Sequence, residues 1–318
     1  MQALLLCLAL VEPWTLERLD LDLHITLDPL RMTTSGTAQI RAAAPSDGPA
    51  FGINNREKVA VLRFLRARGR EATIAPYGDD PHKQIAELSL PESVPAGTTI
   101  AVEFEGTSGA QSEQFFVRKD AAYASWVESW YPRPALSDRE LASPAAPGRT
   151  TIRMPAGWYS VAPGRLISRR EIDGDALEVW ESNTPAARSF AAAPYKIHQP
   201  GLFMFKERPA VETQAEALAK AIEVMERHYG PYPYPSFRIA ELPEELSFAA
   251  AAEQGFIVVR SSRLDAEEGT LPLFAHEAGH AWWGNLVRTD GPGGKMLSEA
   301  AAQYGAVLAI EALEGAGA

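Results

Sequence analysis

Apolar and polar residues alternate along Leu19-Asp20-Leu21-Asp22-Leu23-His24-Ile25, which predicts a strand with one buried face. Shorter runs of the same kind recur at Thr37–Arg41, Val59–Phe64, Thr99–Phe104, Thr150–Met154, Ser160–Ala162 and Leu177–Glu181. Clusters of Gly, Pro, Asp and Ser separate them. Residues 14–199 are therefore expected to form a mainly β N-terminal domain, saddle- or sandwich-like in architecture. The Ala- and Pro-rich stretch Ser143–Gly148 is expected to be a loop.

The periodicity changes beyond residue 200. Ala215, Leu218, Ala219, Ile222, Met225 and Tyr229 share one face of a helix predicted over Glu212–Tyr229. Thr213, with Glu216 three residues on, suits a capping box, and Gly230-Pro231 supplies a stop. Phe237–Glu241 and Gly255–Arg260 read as apolar strands, Leu271–Leu286 and Met296–Glu314 as helices. An α/β domain over residues 200–318 follows.

Composition narrows the partners. The 318 residues carry a formal net charge of −11, which argues against nucleic acid, because phosphate recognition needs clustered Lys and Arg. Cys7 is the only cysteine, so any metal site must be built from His and carboxylates. Residues 1–13 contain an apolar run, Ala3–Val11, shorter than the roughly 20 residues that span a bilayer. It reads either as the remnant of a signal or membrane segment or as a buried strand. The first reading leaves membrane attachment open and favours an extracytoplasmic or membrane-associated location over a cytoplasmic one.

The chemistry gathers in His276-Glu277-Ala278-Gly279-His280. Residues four apart on a helix lie on one face, so both imidazoles can reach one ion while Glu277 approaches its water. By spacing alone the pair suits either a metal site or a helix surface without one. A catalytic zinc usually takes three protein ligands. Glu299, in Leu297-Ser298-Glu299-Ala300-Ala301-Ala302-Gln303-Tyr304, is the candidate third, and equally reads as a solvated helix carboxylate. His24, His82, His198 and His228 have no ligand partner at helical spacing and read as structural or surface residues.

His276 to Asn285, HEAGHAWWGN, resembles the signature helix of the aminopeptidase N family, the gluzincin exopeptidases. In that family a Glu eighteen residues beyond the second His is the third ligand, and Glu299 matches. Ala302 and Tyr304 fit the same helix, with Tyr304 at a packing position. His228 to Pro235 resembles the family's turn before the first strand of its catalytic domain, and Pro155 to Ala162 resembles a strand turn in its β-domain. The resemblance covers about residues 17 to 314. It implies a thermolysin-like α/β zinc-peptidase domain, incomplete at its C-terminal end, after the β-domain.

The resemblance also implies one Zn2+ per chain on His276, His280 and Glu299, with Glu277 as general base. The substrate would be a peptide or protein with a free N-terminus. The family's amine-binding Gly-x-Met-Glu-Asn segment corresponds to Ala250-Ala251-Ala252-Glu253-Gln254, which keeps the carboxylate as Glu253. Glu128, in Trp126 to Pro132, falls where the β-domain approaches the first substrate side chain. It is a second substrate-binding candidate, against the reading of that segment as an aromatic cluster packing the domain interface. The family's oxyanion-stabilising Tyr would lie beyond Ala318. Three readings compete. One is a zinc aminopeptidase, and another is an endopeptidase with a similar zinc site. The third is a catalytically impaired peptide-binding relative, or a fragment of a larger, membrane-attached peptidase.

Overall fold

The structure, a computed structural model, describes residues 14–54, 61–77, 80–109, 111–128, 130–134, 145–197, 201–244, 248–265, 270–288 and 293–315. The apolar run Ala3–Val11 with Cys7, the side chain of His82, His198 and the expected boundary at 199/200 lie outside the described residues.

Trp14–Leu27 is the pivot of an eight-stranded sheet. It pairs antiparallel with Leu30–Ala42 and parallel with Ala146–Pro155. The predicted alternation holds: Leu19, Leu21, Leu23 and Ile25 are buried. The expected loop at Ser143–Gly148 is corrected in part, since the Ala146–Pro155 strand already includes Ala146, Pro147 and Gly148. Arg188 explains the early start. Its buried guanidinium donates to the carbonyls of Leu19, Ala146 and Ala186, tying the three segments together.

Two four-stranded sheets accompany the large one. One of them runs Tyr159–Val161, Phe190–Ala193, Ala122–Ala124, Phe115–Val117, and its strands are almost entirely buried.

A five-stranded sheet follows, in the order Lys196–Ile197, Leu202–Met204, Ile239–Leu242, Phe256–Arg260, Ala250–Glu253. Its two faces serve two cores. Phe203, Ala240, Leu242, Phe256 and Val258 join the apolar core of the preceding sheets. Leu202, Met204, Ile239, Ile257 and Val259 pack under the helices. Burial on both faces is why these strands read as unbroken apolar runs rather than alternating ones.

The helices are α1 (Pro209–Tyr229), α2 (Ser261–Asp265), α3 (Thr270–Gly279) and α4 (Gly294–Glu314). Among the described residues none is long and apolar enough to cross a membrane. The expected capping box on α1 does not form. The helix begins three residues earlier, at Pro209, and Thr213 Oγ1 instead donates back to the Pro209 carbonyl at 3.3 Å. Proline suits the first helical position because it has no N–H to leave unpaired there.

Below α1, Glu241 is 1% exposed and accepts from Arg208 Nη2 at 2.6 Å, Ser261 Oγ at 2.7 Å and the Phe205 amide at 2.7 Å. Removing one partner of such a buried pair leaves an uncompensated charge. Arg208→Ala is expected to destabilise the protein by about 3–5 kcal/mol, read as a fall in the denaturation midpoint. A loss below about 1 kcal/mol would show that water replaces the guanidinium.

Candidate metal and peptide-binding site

The ligand pair sits where α3 ends. The helix stops at Gly279, seven residues before the expected Leu286, and His280 lies in the turn that follows. The amides of Asn285, Leu286 and Val287 bond to carbonyls five residues back, those of His280, Ala281 and Trp282. Gly284 closes this turn at φ 113°, and a Cβ there would lie 2.6 Å from Ser298 Oγ. Only glycine tolerates both the backbone angle and the contact. The turn aims the Trp283 carbonyl at His280 Nδ1, 2.9 Å away, and Ser298 Oγ donates to the same carbonyl at 2.9 Å. With Nδ1 carrying the proton, Nε2 is the free lone pair.

The third candidate arrives on α4. Its buried residues Ala302, Gly305, Ala306 and Ala309 are all small, so α4 lies close to α3 and α1. The tightest point is Gly279 against Ala302, where an added Cβ would stand 2.8 Å from the Ala302 carbonyl oxygen. Glu299 lies one turn before Ala302. Its Oε2 is 3.4 Å from His276 Nε2 and 3.5 Å from His280 Nε2, and the two imidazole nitrogens are 3.2 Å apart. Donors held about 2.0–2.1 Å from one tetrahedral ion stand roughly 3.3–3.4 Å from each other. The triangle fits such an ion, and two imidazoles with one carboxylate suit zinc.

Electrostatics set the neighbours. Burial, with the positive charge available to His280 adding, holds His276 below the usual imidazole range, which favours the neutral, ligating form. Glu277 is raised to about 7 by burial first, then by the negative charges of Glu299 and Glu253. Glu253 is likewise raised to about 7 by burial, which outweighs the hydroxyls of Tyr123, Ser125 and Ser189 that favour its anion.

Glu253 stands at the tip of the edge strand Ala250–Glu253 and is 3% exposed. Its Oε1 accepts from Tyr123 Oη at 2.6 Å, while Oε2 is buried with no hydrogen-bond partner. The neighbouring Gln254, also buried, accepts the Ala187 amide at 2.5 Å. The structure thus brings His276, His280 and Glu299 together and sets Glu277 and Glu253 within electrostatic reach of each other. Glu128 belongs to a short 3₁₀ turn, Trp126–Glu128, where its Oε1 accepts from Ser112 Oγ at 2.9 Å. Tyr123 was not among the expected site residues. One aromatic in a buried strand looks like core, and only the pairing of segments 130 residues apart exposes its partner.

A carboxyl with a raised native pKa binds its proton more tightly folded than unfolded. The stability it contributes is present below about 4.5 and is lost as pH rises through about 7. Glu253→Gln keeps an acceptor for Tyr123 and never ionises. In chelator-treated protein it is expected to match the parent's stability near pH 4.5 and to exceed it by roughly 3 kcal/mol above pH 8. Denaturant titrations at the two pH values test this, and an equal offset at both would refute it.

His228 and Tyr229 end α1, and the turn after them meets the metal-site turn. Tyr229 packs on Trp282 and Trp283, Tyr232 packs edge-on to Trp282, and Trp282 Nε1 donates to the Gly230 carbonyl at 3.1 Å. The two sequence segments that resemble the same family therefore touch.

No protein-family model matches the chain. Among curated proteins, the Aminopeptidase M1-B of Oryza sativa subsp. japonica is 23% identical over 344 aligned residues, which span 93% of this chain. The chain covers 37% of that relative's length. Among solved structures, the M1 zinc metallopeptidase of Deinococcus radiodurans superposes with a TM-score of 0.72 at 14% identity, over 95% of this chain and 72% of its own. A point variant of that enzyme gives 0.74 at 14% identity, and the variant bound to a Tyr-Ser-Ala substrate gives 0.70 at 15%, with the same coverage. The fold is that of the M1 zinc metallopeptidases. The curated relative is an aminopeptidase, in keeping with the resemblance of His276 to Asn285 to the aminopeptidase N signature.

Proposed function

We propose that this chain carries the metal site of a zinc-dependent aminopeptidase, with His276, His280 and Glu299 as ligands to one Zn2+ and Glu277 as general base. Residues 14–199 form its β-domain and residues 200–318 the thermolysin-like part. The observation that carries the reading is the ligand triangle, with sides of 3.2, 3.4 and 3.5 Å, beside a carboxylate raised to about 7. Bound there, zinc supplies Lewis acidity to a peptide carbonyl and to the attacking water. Glu277, on the same helical turn as His276, accepts the water's proton and returns it to the departing amine. Its pKa near neutrality suits both transfers. Glu253 receives the substrate's α-ammonium at its unpartnered oxygen, which makes the reaction exopeptidic. The Deinococcus structure with a bound tripeptide supports a peptide as the substrate class.

A panel of aminoacyl-arylamides, each free and N-acetylated, tests this on zinc-loaded protein. Hydrolysis of the free substrates alone is expected. Equal cleavage of both would make the site an endopeptidase, and stoichiometric zinc without turnover would make the chain a peptide-binding relative.

A further inference from the structure

The carboxylate assigned to the amine is gripped from a distant part of the chain. Tyr123 lies on Ala122–Ala124, a central strand of its sheet, fully buried with its ring against Phe116 and Phe248. A phenol buried this deeply needs a hydrogen-bond partner. It finds one in Glu253 Oε1, at 2.6 Å. The backbone around Glu253 is held independently. The Ala187 amide bonds to Gln254 at 2.5 Å, and Asn285 Nδ2 donates to the Glu253 carbonyl at 3.4 Å. What Tyr123 supplies is the hydrogen bond that directs the carboxylate, beside weaker favourable contributions from Ser125, Ser189 and the Trp126 amide.

The donor's chemistry matters as much as its position. A guanidinium or ammonium would neutralise Glu253, whereas a phenol engages one oxygen and leaves the negative charge for a ligand. Oε2 remains buried without a partner, a costly state that a ligand bringing N–H donors relieves.

We propose that Tyr123 is a positioning residue for amine recognition, its hydroxyl holding Oε1 of Glu253 so that Oε2 is presented to the substrate's α-ammonium. The proposal rests on the reading of Glu253 as the amine-binding carboxylate. It makes the substrate site composite, with its orientation set by a strand that precedes the metal helix by some 150 residues.

The test is calorimetric binding of leucinamide and N-acetyl-leucinamide to chelator-treated and zinc-loaded protein. The variants are Tyr123→Phe, Glu253→Gln and the double substitution, with thermal unfolding and zinc content recorded for each. The parent should bind leucinamide and not its acetylated form. Tyr123→Phe, which fills the same volume, should weaken leucinamide about ten-fold or more with zinc stoichiometry unchanged. In the Glu253→Gln background it should have no further effect. A merely structural tyrosine would cost affinity equally in both backgrounds, and that result overturns the proposal, as does parental affinity in Tyr123→Phe. If the parent binds both probes alike, or if Glu253→Gln binds leucinamide as the parent does, the amine-binding reading itself fails and the role of Tyr123 falls with it.

Discussion

Glu277→Gln is expected to lower kcat by about 10²–10⁴-fold while leaving zinc content at one per chain. Glutamine keeps the size of the side chain and removes only the basic oxygen. Glu277 lies between two positions of the ligand pair in sequence but outside the triangle formed by His276, His280 and Glu299, so the ion's donors are untouched. KM for aminoacyl-arylamides should change little, because binding is assigned to Glu253. The pH profile carries a second signature. In the parent, the acid limb of kcat/KM should report a group titrating near neutrality, as expected for a buried carboxyl raised to about 7. Residual activity in the variant should lack that limb. Loss of zinc together with activity would instead assign Glu277 a part in holding the metal.

Gly279→Ala is expected to weaken zinc binding although residue 279 touches no metal. The new methyl group would stand 2.8 Å from the Ala302 carbonyl oxygen and 3.0 Å from its Cα, both backbone atoms of a regular helix. Neither side chain nor rotamer can relieve that contact, so α3 and α4 must separate. Overpacking of this kind costs about 1–3 kcal/mol of stability. The separation also carries Glu299, one turn away on α4, out of a triangle whose sides are only 3.4 and 3.5 Å. A competition titration with a chelator should show zinc affinity falling by more than the roughly 10–100-fold expected for loss of a residue that only supports a ligand. Unchanged affinity with lowered stability would mean that α4 pivots and keeps Glu299 in place.

The two histidines are legible in the sequence because their spacing is a local property of one helical turn. Glu299 is legible only through resemblance. Its approach depends on the fit of Gly279 against Ala302, and no pattern within α4 announces that its small residues face α3 rather than solvent. Helix ends are the features least legible in the sequence, for reasons visible in the structure. The periodicity of Leu271–Leu286 continues past Gly279, yet Gly284 and the Trp283 carbonyl turn the chain there to hold His280. At α1 the helix-compatible Thr213 and Glu216 were overridden by Pro209 upstream.

By itself the sequence determined the strand pattern of the β-rich region, the lack of a cysteine cluster for a metal, and the His276–His280 pair with Glu277 beside it. Each rests on residue type and short-range period, which survive any tertiary arrangement. Only the tertiary structure decided that Glu299 completes a 3.2–3.5 Å triangle, that Glu253 is nearly fully buried, and that Tyr123 holds it. Those facts depend on contacts between segments far apart in the chain, where desolvation and close packing set the charges and distances, and neither is encoded in any local run of residues.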